Sequence, residues 1–169
     1  MTALPVLALG TAGVFFILLA ARPSTAPVEI VPGAVESQPF GCTSFELEPV
    51  EPSCEGGHFH SGIDLAAPIG TPVQSPAEGV AWVGSGGACG LHVLIQHGGG
   101  IETLYCHLSE ASVLDGEAVA TGQRIGSVGA SGATTGPHLH FEIHRNGRPV
   151  NPATWLPQSP ATTNHKGGY

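Results

Sequence analysis

After residue 21 no stretch of this chain keeps a helical apolar period over three turns, and its turn residues show why. The 169 residues include 25 Gly and 15 Pro, which cut the apolar sequence into short runs. Short alternating runs bounded by turn residues read as strands. The expected strands are Gly62–Ala66, Pro72–Gln74, Gly79–Val83, His92–His97, Glu102–Leu108, Arg124–Val128 and His138–His144. Such a series predicts an all-β fold, an antiparallel β-sandwich, in a single domain from residue 40 to residue 156.

The ends read differently. Residues 2–21 carry no charge, and about 20 such residues suffice for a membrane-spanning helix. The basic start and small-residue cleavage site of a cleaved signal are poorly matched. Residues 1–21 are therefore expected to be an anchor that holds the protein to a membrane through residues 3–21, with a cleaved signal as the alternative. Pro23, Pro27, Pro32 and Pro39 punctuate residues 22–39, which predicts a linker. Residues 157–169 are polar and read as a disordered tail.

Charge narrows the function. The formal net charge is −8, with only five Lys and Arg, so no phosphate-binding stripe can form and nucleic acid is excluded as a partner. The cysteines are Cys42, Cys54, Cys89 and Cys106. None forms a C-x-x-C pair, which disfavours a zinc knuckle. An even count behind an export-like N-terminus predicts disulfides and an extracytoplasmic location. Three pairings are possible. Cys89 and Cys106 lie on the arms of an apparent hairpin turning at Gly98–Gly100, and Cys42 and Cys54 would close a short loop.

Four histidines and an aspartate stand in three motifs: His60-Ser-Gly-Ile-Asp64, Tyr105-Cys-His107, and His138-Leu-His140. Imidazole and carboxylate are the ligands of catalytic zinc sites. Side chains two apart in a strand share a face. His138 and His140 then point together, with Leu139, Phe141 and Ile143 turned to the core. The same rule puts His60 and Asp64 on one face, with Gly62 between them leaving room for an ion. It also puts Tyr105 with His107, and Cys106 on the opposite side. Glu142 shares the face of His140, where a surface carboxylate is expected and a bond to a ligand imidazole is the alternative. The run Gly129–Gly136 lacks the Gly-Lys-Ser/Thr of a nucleotide loop and reads as a tight turn presenting His138.

From Gly57 to Pro152 the chain resembles the lysostaphin-type, or LytM-domain, zinc metallopeptidases that cut peptidoglycan. The matching stretches are HFHSGIDLAAPIGTPVQSPAEGVAWVG, HVLIQHGGGIETLYCHLS, VATGQRIGSVGASG and TGPHLHFEIHRNG. The resemblance implies one zinc per chain held by His60, Asp64 and His140. It implies His107 and His138 as catalytic histidines and peptidoglycan as the partner. It also implies a sandwiched-hairpin core of the duplicated hybrid motif kind. His97 falls on a structural position of the pattern, while His58 is near enough to His60 to compete for metal. Two other classes remain open at this level. One is a zinc-retaining module that binds peptidoglycan and activates another hydrolase. The other is a β-domain that carries phosphate on paired histidines. The intact five-residue set disfavours the first, and the aspartate disfavours the second.

Overall fold

The computed structural model describes residues 28–155, so the expected anchor over 1–21 and the tail over 157–169 lie outside the described residues. Thirteen strands follow one another: β1 (Val35–Gln38), β2 (Gly41–Thr43), β3 (His58–His60), β4 (Ile63–Ala66), β5 (Pro72–Gln74), β6 (Gly79–Gly86), β7 (Gly90–Gly98), β8 (Ile101–Cys106), β9 (Leu108–Ala111), β10 (Ala118–Val119), β11 (Arg124–Val128), β12 (His138–Arg145) and β13 (Arg148–Val150). A single 3₁₀ turn, Pro152–Thr154, closes the described chain. No helix of the described residues is long and apolar enough to cross a membrane.

Every strand pair is antiparallel. The large sheet runs β1-β4-β12-β8-β7-β6-β10, with β13 beside the far half of β12. A second sheet runs β5-β11-β9, and β2 and β3 form a two-stranded ribbon. The core lies against the inner face of the large sheet. There the alternation of β7, β8 and β12 buries Val93, Ile95, Tyr105, Leu139, Phe141 and Ile143, and they meet Val73, Ile125 and Val128 from the smaller sheet. Tyr105 and Phe141, opposite each other in register, pack at 5.2 Å between ring centres. Burying a side chain as large as Phe141 stabilises the fold by about 1.5–3 kcal/mol. The outer face of the same strands carries the polar alternates, and the cleft opens there.

The expected linker differs from what is seen over its described part. Ile30 and Val31 are buried in the core, and Ile30 accepts a backbone hydrogen bond from Gln74 N–H at 2.8 Å. β1 pairs with β4. Prolines punctuate this segment, but its few apolar residues suffice to seal one end of the sandwich. Both disulfides form as Cys42–Cys54 and Cys89–Cys106.

Candidate active site

β4 and β12 lie side by side with His140 opposite Asp64. His60 arrives from β3, in the separate ribbon, so His60 and Asp64 do not share a strand face as expected. The chain turns a corner between them. Gly62 serves that corner rather than an ion: a Cβ there would sit 2.4 Å from the Phe141 carbonyl oxygen. Hydrogen bonds fix which ring atoms are free. A carbonyl can only accept, so His60 donates its Nδ1–H to the Pro39 carbonyl at 2.8 Å and keeps Nε2 free. His140 donates Nε2–H to Glu142 Oε1 at 2.8 Å and keeps Nδ1 free. The free atoms converge. His60 Nε2 is 3.2 Å from Asp64 Oδ1 and 3.0 Å from His140 Nδ1, which is 3.0 Å from Asp64 Oδ1. Tetrahedral zinc bonds of roughly 2.0–2.1 Å separate their ligand atoms by about 3.3 Å, so a two-imidazole, one-carboxylate set of this size fits zinc.

Glu142 is buried, not the surface carboxylate expected. Besides His140 it accepts from Ser61 Oγ at 2.6 Å and from the His144 ring. Burial would push its carboxyl up, but these donors hold it below the usual carboxylate range. Asp64 behaves alike: burial is outweighed by the His140 and His60 imidazoles. In return the two carboxylates overcome the burial of His140 and raise it to about 9. His60 is also raised, against its own burial, by the bond to Asp64. A further carboxylate oxygen, Glu48 Oε1, stands 3.9 Å from His60 Nε2 and accepts from Gln38 Nε2 at 3.2 Å.

The other two histidines stand at strand ends, His107 between β8 and β9 and His138 as the first residue of β12. Strand β8 ends at Cys106 because His107 takes a positive φ of 62°. That turn breaks the expected alternation. Thr103 and Tyr105 stay in the core, while His107 swings to the outer face with Leu104 and Cys106, so the Cys89–Cys106 disulfide lines the cleft. His107 donates Nδ1–H to the Ser131 carbonyl at 2.8 Å. His138 donates Nδ1–H to the Gly136 carbonyl at 2.9 Å, with Thr134 Oγ1 at 3.1 Å. Both keep Nε2 free, and that of His138 lies 3.6 Å from Asp64 Oδ1. The two rings are 4.7 Å apart, centre to centre. Burial lowers His107, with the neighbouring imidazoles adding to the shift.

All five predicted residues thus come together, four of them at the surface of an open cleft of about 620 Å³ and His60 fully buried beneath it. The loop closed by Cys42–Cys54 forms one wall, with Phe45, Leu47 and Val50 partly exposed along it. Residues 88–89 and 133–135 form the other. His58 stays outside: its Nδ1–H is taken by the Glu48 carbonyl at 2.7 Å. His97 bridges the Glu78 carbonyl and Thr103, a structural position. The carbonyls of Pro39 and Ser131, and the side chain of Thr134, are parts of the site that the sequence reading missed. Only Thr134, four residues before His138, lay within reach of a local pattern.

The profile of Peptidase family M23 matches residues 58–152, which include all five residues. The chain belongs to peptidase family M23. Among curated M23 relatives, a DD-carboxypeptidase/endopeptidase, Mpg, of Neisseria meningitidis serogroup B is 44% identical over 128 residues, covering 75% of this chain and 28% of the relative. Peptidoglycan DD-endopeptidase ShyA of Vibrio cholerae is 48% identical over 93 residues, covering 54% of this chain and 22% of the relative. The chain thus spans about a quarter of the length of these relatives. Among solved structures, a zinc-containing peptidase from Vibrio cholerae superposes with a TM-score of 0.62 at 34% identity, covering 74% of this chain and 37% of that one.

Proposed function

We propose that this M23 chain is a zinc-dependent endopeptidase that hydrolyses peptide bonds of peptidoglycan, in stem peptides or cross-bridges. One observation carries the reading. Three lone pairs from His60, Asp64 and His140 converge within 3.2 Å of one another, beside two imidazoles whose free Nε2 atoms face the same cleft. The names of the relatives, which act on peptidoglycan or contain zinc, support it.

His60, Asp64 and His140 would hold one zinc. When bound, zinc supplies a Lewis acid that polarises a peptide carbonyl and acidifies water. The chain's own groups do the rest. The Pro39 carbonyl and Glu142 fix the two ligand imidazoles in the tautomer that leaves the correct nitrogen free. Burial favours neutral His107, so its Nε2 can take a proton near neutral pH. His138 holds its own Nε2 in the same cleft, and either imidazole, once protonated, can donate to the developing oxyanion. An extended peptide fits between the two disulfide-tied walls.

The enzyme acts outside the cytoplasm, where disulfides persist and peptidoglycan is found. Residues 3–21 hold it at the membrane, a reading that rests on their charge-free length and poor cleavage sites; a cleaved signal would make the enzyme secreted instead. The test uses the full-length chain. Elemental analysis should find one zinc, and mass spectrometry should find newly cleaved muropeptides after incubation with purified walls. Zinc-loaded, oxidised protein that binds walls and releases no peptide would instead identify a non-hydrolytic module.

A further inference from the structure

We propose that the Cys89–Cys106 disulfide is a positioning group for His107, so that the acid–base half of the site is complete only in the oxidised chain. The role given to His107 rests on the hydrolytic reading above; the positioning rests on contacts. Cys106 is the last residue of β8, and His107 follows it at φ 62°. A non-glycine residue in that region is uncommon and persists only where its surroundings over-determine it. The ladder between β7 and β8 does not do so, since its pairing ends at Val93 with Tyr105. Its neighbours are paired elsewhere, Cys106 opposite His140 of β12 and Leu108 opposite Val128 of β11, but the backbone N–H of His107 itself is held by the turn that carries Cys89. The His107 N–H donates to the Cys89 carbonyl at 2.9 Å, and the disulfide joins that same residue to Cys106.

The turn reaches the imidazole by a second route. Ala133 N–H donates to the Ala88 carbonyl at 2.8 Å, and Leu91 N–H donates to Ser131 Oγ at 2.9 Å. A Cβ on Gly132 would lie 2.3 Å from the Ala88 oxygen, so glycine permits this close approach. Ser131 in turn accepts the His107 Nδ1–H on its carbonyl and donates Oγ to the Leu108 carbonyl at 2.9 Å. Backbone and ring of His107 are therefore both referred to residues 88–91. That turn is rich in glycines at positive φ, Gly86, Gly87 and Gly90, and has little stiffness of its own. Apart from the main chain running through β7, the disulfide is the covalent tie between the turn and β8 among the described residues. The hydrogen bonds that orient His60 and His140 run elsewhere, to Pro39 and Glu142. Breaking the S–S bond should release His107 and spare the metal ligands. A chain still in a reducing compartment would hold metal without an ordered acid–base group, and oxidation would complete the site.

The test uses the full-length, zinc-loaded chain carrying Cys42→Ser and Cys54→Ser, so that Cys89–Cys106 is its only disulfide. It is assayed oxidised, after a trialkylphosphine, and after reoxidation. The phosphine gives two electrons to the S–S bond and takes oxygen from water. The products are two thiols, carrying the two protons of water, and the phosphine oxide. Reduction should lower kcat by up to about 10²-fold, the scale of a misplaced catalytic group, with KM and zinc content little changed. Reoxidation should restore it. Ring ¹⁵N spectra should show His107 fixed with its proton on Nδ1 when oxidised, and averaged between nitrogens when reduced. Cys89→Ala with Cys106→Ala in the otherwise natural chain should reproduce both results without reductant. Unchanged kcat and an unchanged His107 tautomer in the reduced, folded protein would overturn the proposal. If the natural chain, with both disulfides intact, cuts no wall at all, the hydrolytic reading fails, and the ring tautomer still decides the positioning.

Discussion

His140 and His107 stand 6.0 Å apart, ring centre to ring centre, and both are largely shielded from solvent, yet their acidities move in opposite directions. His140 is wedged between Asp64 and Glu142, and the two carboxylates raise it to about 9. His107 meets a neutral carbonyl instead, so burial prevails and lowers it. Burial alone would depress both. The difference lies in the partner that accepts the second ring proton. A carboxylate partner makes an imidazole electron-rich and attracts cations, which suits a metal ligand. A carbonyl partner fixes the tautomer without adding charge, which suits a group that must take and return protons. The two corners differ in scaffold as well. His140, Asp64 and Glu142 ride on paired strands, whereas His107 follows a broken strand and His138 a glycine-rich loop.

The largest expected effect comes from removing the anion at the metal corner. Asp64→Ala should abolish zinc binding and reduce wall hydrolysis to background, because two imidazoles are left without their charged partner. Elemental analysis and muropeptide release from one preparation check both. Stoichiometric zinc in this variant would mean that Asp64 is not a ligand and that the two corners are wrongly divided.

His107→Ala and His138→Ala should each keep zinc and lose about 10²–10⁴-fold in turnover, the usual cost of a general acid or base. Loss of metal in proportion to activity would move that histidine into the metal corner. The free Nε2 of His138, 3.6 Å from Asp64 Oδ1, makes it the sharper test of the pair.

Glu142→Ala should act through His140. Removing a carboxylate that orients a ligand histidine typically weakens metal binding about 10–100-fold. Competition with a chromogenic chelator measures this directly. Glu142→Gln should recover part of the loss, since an amide oxygen can still accept from His140 Nε2–H. Equal losses in the two variants would show that the charge, not the hydrogen bond, tunes the ligand.

The same contrast marks what was legible in the sequence. Strand β12 was read correctly because His138, His140 and Glu142 alternate strictly with Leu139, Phe141 and Ile143, and the period of two survives in the structure. Pro72–Gln74 and Arg124–Val128 also match observed strands, although Ile125–Val128 is buried throughout and shows no alternation. The alternation rule failed at His107, where one positive φ moved a side chain across the sheet, and at Ser61-Gly62, where a corner separates two strands. Neither change is encoded by local periodicity; each is fixed by contacts far along the chain, with Ser131 for His107 and Phe141 for Gly62. The core role of Ile30 and Val31 was masked by the surrounding prolines. The buried state of Glu142 depended on Ser61, 81 residues away.

The smallest effect, and the most direct on the comparison, is in pH. In the metal-free chain His140 carries its proton up to about 9, so zinc arriving at Nδ1 near pH 7 must displace one. Zinc affinity should rise with pH, by up to about tenfold per unit for each proton displaced, and flatten above about 9. Calorimetry in buffers of different ionisation enthalpy counts that proton. Stability of the metal-free chain should run the other way. A folded-state value raised above the ordinary 6.5 means that His140's contribution is full below 6.5 and disappears as pH rises through about 9. Turnover of the zinc-loaded enzyme answers to His107 instead, whose value lies below 6.5, so its acid-side loss should begin only beneath that point. A nearby dication would push His107 further down, in the same direction. Metal affinity and turnover should therefore show separate inflections on opposite sides of 6.5. Coincident inflections would mean that one ionisation governs both corners, and that the partner carbonyl at Ser131 does not insulate His107 from the charges around His140.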